Sequence, residues 1–205
     1  MARFTPSRII PIALVLVIVV VAIAALVSLT RAVFFSGSST TQTTSVDTSR
    51  SALLSTTVDR AVRLTVRGPI VADELFRSYQ ITITPSSRTL TTYTGYLDTK
   101  VDQIALGNNI PSYEQFVYAL DKANLAKGTE LSGDKNDTRG VCATGRVYQF
   151  EILNGTTSVK NLWTSTCSGS TGSLDATVSQ LTNLFVSQFP TSSSVIRKVN
   201  LSSNL

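Results

Sequence analysis

Residues Ile9 to Leu29 form 21 consecutive uncharged positions, nearly all apolar, held between Arg3 and Arg8 on one side and Arg31 on the other. An α-helix rises about 1.5 Å per residue, so the run spans roughly 30 Å, the hydrocarbon core of a bilayer. A cleaved signal peptide fits less well. Its apolar region is about 7 to 15 residues long and precedes a small-residue cleavage site, whereas the A-x-A at Ala22 to Ala24 lies inside this run. The segment 1–35 is therefore expected to be a retained membrane anchor that meets the lipid bilayer through Ile9 to Leu29. Arg3, Arg8 and the amino terminus outweigh Arg31 behind the span, so the amino terminus is expected in the cytoplasm and the remainder outside it.

From Ser36 to Ser51, 11 of 16 residues are Ser or Thr, too few of them apolar to offset the entropy of ordering the backbone. Residues 36–51 read as a flexible linker with a span of about 20 to 25 Å. The remaining 52–205 has the length of one domain with one core. It carries 14 basic and 12 acidic residues, so most of the chain's net +5 belongs to anchor and linker. Nucleic acid is not an expected partner, because the basic stripe it needs is missing from the head. Arg60, Arg63 and Arg67 are a local exception. The alternation Val62-Arg63-Leu64-Thr65-Val66-Arg67 ends at Gly68-Pro69 and predicts a strand with Arg63 and Arg67 on its outer face.

Cys142 and Cys167 are the two cysteines, and they flank a hairpin signal at Asn154-Gly155, where a type I′ turn needs positive φ at both central residues. Pairing outward from that turn sets Leu153 opposite Thr156 and Cys142 opposite Cys167. The cysteines then meet at a non-hydrogen-bonded pair, where Cα atoms approach to about 4.5 Å. This register puts Tyr148, Phe150, Ile152, Val159 and Trp163 on one face, and Gln149, Glu151, Ser158, Lys160 and Thr164 with Val147, Leu153 and Leu162 on the other. The 25-residue separation and the absence of His argue against a C-x-x-C redox site or a zinc site. A structural disulfide, formed outside the cytoplasm, is the expectation.

A shift of 69 residues lays Tyr79-Gln80 on Tyr148-Gln149, Ile81 and Ile83 on Phe150 and Ile152, Leu90 on Val159, and Phe116-Val117 on Phe185-Val186. That pattern suggests a ββα duplication. The first helix starts at Pro111 or Ser112, with Gln115 completing a capping box and Tyr113, Phe116, Val117 and Leu120 inward. The second starts near Ser173, carries Leu174, Val178, Leu181 and Phe185 inward, and stops before Pro190. Pro85 cannot take positive φ, so the first hairpin is expected to need a longer loop. Lys100 to Leu106 reads as a short helix closed by Gly107, Gly128 to Gly140 as a polar loop, and Val195 to Leu201 as a returning strand. The expected fold class is α+β: anchor, linker, then a mainly antiparallel sheet with helices on one face.

Chemistry has few candidates. Without histidine, Ser-His and Cys-His nucleophile systems are excluded, and no nucleophile elbow or phosphate loop occurs. Ser132 and Lys135 have S-x-x-K spacing, but they sit in the polar loop instead of opening the apolar helix that serine/lysine acyl enzymes use. Glu130, Asp134 and Asp137 do not follow EF-hand spacing and are interrupted by Lys135 and Arg139. No catalytic, cofactor-binding or metal-ligating residue is assigned; the site residues are the disulfide pair Cys142 and Cys167.

The residues Arg139-Gly-Val-Cys-Ala-Thr-Gly145 and Leu162-Trp-Thr-Ser-Thr-Cys167, with an anchor and a Ser/Thr tether, resemble uncharacterised single-pass, disulfide-containing surface proteins of small-genome, host-dependent bacteria. The resemblance implies an extracytoplasmic location and carries no activity. The expected function is a non-enzymatic structural or interaction protein of the cell envelope, tethered in the membrane and engaging an unknown protein partner or copies of itself. The alternative is a filament subunit. Phe4-Thr5 before a long apolar helix and a disulfide-bearing head is similar to type IV pilins, although Arg3 replaces the Gly of their processing site and no Glu follows at the fifth mature position.

Overall fold

The computed structural model describes residues 48–198. The predicted span Ile9–Leu29, residues 36–47 of the linker and residues 199–205 lie outside the described residues. Among the described residues no helix is long and apolar enough to cross a membrane.

Helix α1 (Thr48–Leu54) takes up the last four positions of the expected linker. Tertiary contacts override its polar composition. Leu53 is fully buried, and Arg50 grips both carboxylate oxygens of Asp121 at 2.8 Å. Six strands and three further helices follow: β1 (Arg60–Arg67), β2 (Arg77–Ile83), β3 (Ser87–Thr94), β4 (Thr99–Gly107), α2 (Ile110–Lys122), β5 (Val147–Asn154), β6 (Thr157–Ser165), α3 (Val178–Val186) and α4 (Ser192–Lys198). The strands form one antiparallel sheet in the order β4-β3-β2-β1-β5-β6. The α+β architecture with an antiparallel sheet is thus as expected.

The alternation read in β1 places it at the centre. Val62, Leu64 and Val66 are buried toward the helices, while Arg63, Thr65 and Arg67 face the other way. The helix-bearing face is one continuous core, to which α1 contributes Leu53, α2 Tyr113, Phe116, Val117 and Leu120, α3 Leu181 and Phe185, and α4 Val195. Phe185 meets Phe116 edge-on at 5.3 Å and Phe150 at 6.1 Å, so helices and sheet interlock through one aromatic cluster. The opposite face carries no helix core and is largely polar. Arg63 donates to Thr82 on one side and lies 3.7 Å from Glu151 on the other, a cross-strand row of the kind that stabilises sheet faces.

The 69-residue shift has a structural counterpart in β1. Val62 pairs with both Ile83 and Ile152, Leu64 with Ile81 and Phe150, and Val66 with Tyr79 and Tyr148, each pair of partners 69 residues apart. The hairpins continue in opposite directions, however, β3 lying on one side of β1 and β6 on the other. Both first strands run the same way with the same face on the core, so no rotation superposes the two halves, and the first half also contains the additional strand β4.

Several local expectations are corrected. The β5–β6 turn is Gly155-Thr156, bracketed by Asn154 and Thr157, with positive φ at Gly155 and not at Asn154. That is the requirement of a type II′ turn in place of type I′. Val159 is then an extra residue in β6, and this bulge reverses the facing of everything beyond it: Leu162 lies opposite Phe150, and Trp163 turns to the helix-free face opposite Gln149. Pro85 needs no longer loop. Thr84 and Ser87 close a two-residue Pro85-Ser86 turn, with Thr84 Oγ1 accepting from the Ser87 amide at 2.8 Å. Lys100 to Leu106 is strand, because pairing with β3 uses the alternation Asp102, Ile104, Leu106 instead of the helical spacing. Val195 to Lys198 is helical, since Val195 packs into the core from α4. The α2 N-cap is Asn109, whose side chain accepts from the Ser112 amide at 2.9 Å, and α3 starts at Val178, which leaves Leu174 before the helix.

Candidate functional site

The disulfide Cys142–Cys167 forms, with Cα atoms 5.5 Å apart. It does not arise as a ladder pair. The last paired residues of β5 and β6 are Val147 and Ser165, and Cys142 lies in the preceding loop, which folds back past the end of the hairpin. Thr166 donates its amide to the Arg146 carbonyl at 3.0 Å, and its hydroxyl accepts from the Arg146 amide at 2.8 Å. The loop passes so close that a Cβ at Gly145 would collide with Thr166 Oγ1 and lie 2.8 Å from Cys142 Sγ. Cys142, Val147 and Trp163 form a second buried cluster, flanked by Leu131, Val141 and Cys167. The outer edge of β6 is covered there: Ser173 and Leu174 donate to the Trp163 carbonyl at 2.9 and 3.1 Å, and Ser173 Oγ accepts from its amide at 3.2 Å.

This pinned loop closes a cavity of about 280 Å³ at the end of the sheet where β1 leaves it. The other walls come from the β1–β2 connection and the β3–β4 turn, and Arg67, Ile70, Phe76, Tyr96, Arg139 and Val147 define its chemistry. Phe76 and Tyr96 stack with ring centroids 4.2 Å apart. The Tyr96 hydroxyl donates to the Val71 carbonyl at 2.7 Å and accepts from its amide at 3.0 Å, while the Tyr96 amide donates to Asp73 at 2.7 Å. Ile70 donates its amide to the Ala143 carbonyl at 2.8 Å, which ties the first connection to the disulfide loop. Three loops far apart in sequence are thereby joined by hydrogen bonds.

The two arginines differ. Arg139 is exposed and donates to both carboxylate oxygens of Asp137 on its own loop. Hydrogen bonds from the Arg139 side chain and then its backbone, with a smaller contribution from the Arg67 charge, hold the Asp137 carboxyl down at about 2. Arg67 Nε, in contrast, is buried and has no hydrogen-bond partner. Around the cavity the two connecting loops expose Ile70, Val71, Leu75, Tyr96 and Leu97, the last 92% accessible. Loop tips are ordinarily polar, and these two are apolar instead.

Of the residues singled out in the sequence, Arg67 belongs to this site, and Arg63 is paired on the open sheet face. Ser132 and Lys135 are exposed at a 3-10 turn, Gly133–Asn136. Glu130 accepts from Asn136 and from the Asn161 amide, whereas Asp137 serves Arg139, and among the described residues no group of three such side chains gathers for a metal ion. Phe76, Ile70 and Tyr96 escaped sequence reasoning. The available signal was the misplaced hydrophobicity of the tips Gly68-Pro-Ile-Val71 and Gly95-Tyr-Leu-Asp98. Compared with protein-family models, curated proteins and solved structures, the chain matches none.

Proposed function

We propose that this chain is a membrane-anchored, extracytoplasmic interaction protein of the cell surface without enzymatic activity, and that the loop end of its sheet is the surface offered to a protein partner. In this reading Ile9 to Leu29 holds the chain in the bilayer with its amino terminus in the cytoplasm. The disulfide suits the oxidising side of the membrane. The observation that carries the reading is the apolar rim of Ile70, Val71, Leu75, Tyr96 and Leu97 around a cavity, on loops held by hydrogen bonds to one another and to the disulfide-bearing loop. Fixed loops lose little conformational entropy on association, which favours binding. The test is photo-crosslinking in intact cells from a probe residue at Leu97, with one at Val58, exposed near the other end of β1, as control. A discrete adduct from Leu97 alone is expected; equal or absent labelling from both positions would remove the proposal.

A further inference from the structure

We propose that the cavity receives the carboxyl-terminal apolar residue of a partner polypeptide, with its carboxylate on Arg67 and its side chain between Val147, Ile70 and the Phe76–Tyr96 stack. The proposal deepens the interaction reading above and rests on it. Charge selects the anion. Of the two cations lining the cavity, Arg139 is bound directly by Asp137, whereas Arg67 reaches that carboxylate only through a smaller electrostatic contribution, so Arg67 is the less compensated of the two. A guanidinium on a largely apolar wall is poorly solvated, and an incoming carboxylate can accept a charge-assisted hydrogen bond from it. Size selects the rest of the ligand. At about 280 Å³ the cavity falls below the roughly 300 Å³ at which pockets for drug-sized ligands begin. A space of that size suits one residue, and a chain terminus carries an anion and an apolar group on one Cα. The exposed rim beside the cavity, Leu75 and Leu97, is then available to the residues that precede the terminus.

Trp163 supplies the readout, because it is the one tryptophan of the chain and packs on Cys142 and Val147, both cavity walls. The full chain in detergent micelles is titrated with an apolar hexapeptide ending in leucine as the free acid, with its carboxamide, and with N-acetyl-leucine. A saturable change in Trp163 emission is expected for the acid, with at least tenfold weaker binding of the carboxamide and of N-acetyl-leucine. Arg67→Met is expected to weaken the acid at least tenfold, as is Ile70→Asp, a rim substitution that serves if Arg67→Met fails to fold. Equal affinity for acid and carboxamide, or unchanged affinity in both variants, overturns the proposal. N-acetyl-leucine binding as tightly as the hexapeptide overturns the polypeptide occupant in favour of a small carboxylate. A failed titration beside a positive Leu97 crosslink removes the ligand chemistry alone, whereas a failed crosslink beside a positive titration removes the cellular reading alone.

Discussion

Replacing both Cys142 and Cys167 by alanine tests how the loop end of the sheet is held. The bond closes a loop with a sequence separation of 25, and in the chain-entropy model releasing a loop of that size returns about 3.5 kcal/mol of freedom to the unfolded chain. The contacts that remain between Arg146 and Thr166 do not offset this, because they act in the folded state and the lost constraint acts in the unfolded one. Loss of two sulfur atoms beside Trp163 adds a packing penalty of the same sign. Against a typical domain stability of about 5–15 kcal/mol the change is large, and it corresponds to a fall in melting temperature of about 7–14 °C. Urea unfolding of the full chain in micelles, followed by Trp163 emission and far-ultraviolet circular dichroism, measures it directly. A loss below about 1 kcal/mol would refute the reasoning, since the unfolded chain would then already hold the two positions together. Non-reducing mass spectrometry of membrane-extracted protein checks the premise, and two free thiols there would remove it.

Phe185→Ala removes the ring that joins α2, α3 and β5, and is expected to cost about 3–5 kcal/mol in the same urea experiment; a cost near that of a surface substitution would contradict the interlocked core. Gly172→Ala combines positive φ with a Cβ that would strike the Trp163 carbonyl and lie 2.7 Å from its ring, so thermal melts should show a loss of about 2 kcal/mol or more, and an unchanged melt would deny the close approach. Burial raises the Glu151 carboxyl above its ordinary 4.5 despite Arg63 across the strand pair. The folded state then binds this proton more tightly than the unfolded state, so the group's contribution is present below the unfolded value and lost as pH rises through the folded one. Glu151→Gln abolishes that loss, and its stability relative to wild type should rise with pH upward from 4.5; a difference independent of pH would show that the carboxyl titrates normally.

What the sequence made legible follows from how many residues vote on each feature. Four inward positions in α2 and the alternation of β1 each agree over a whole element, and both appear as read. The β5–β6 hairpin depended on one turn. Moving the turn from Asn154-Gly155 to Gly155-Thr156 leaves the facing of β6 intact, and it is the single extra residue at Val159 that inverts the far half of the strand. Gly155 also donates its amide to the Asp59 carbonyl at 2.7 Å, so the turn is fixed partly by the residue before β1, which no pattern inside the hairpin records. Lys100 to Leu106 shows the same limit: seven residues support either period, and the choice belongs to the edge of β3. The disulfide survived a mistaken register because two cysteines have one possible pairing, and a loop can carry Cys142 to its partner from outside the ladder. The cavity lacked any such redundancy. Arg67, Phe76, Tyr96 and Cys142 come from four segments, each with an ordinary local role, and only the loop hydrogen bonds and the covalent link bring them together. If the cavity binds as proposed, the disulfide is therefore part of the binding surface as well as of the fold, and the cysteine variant should lose affinity for the free-acid peptide at urea concentrations where its core is still folded.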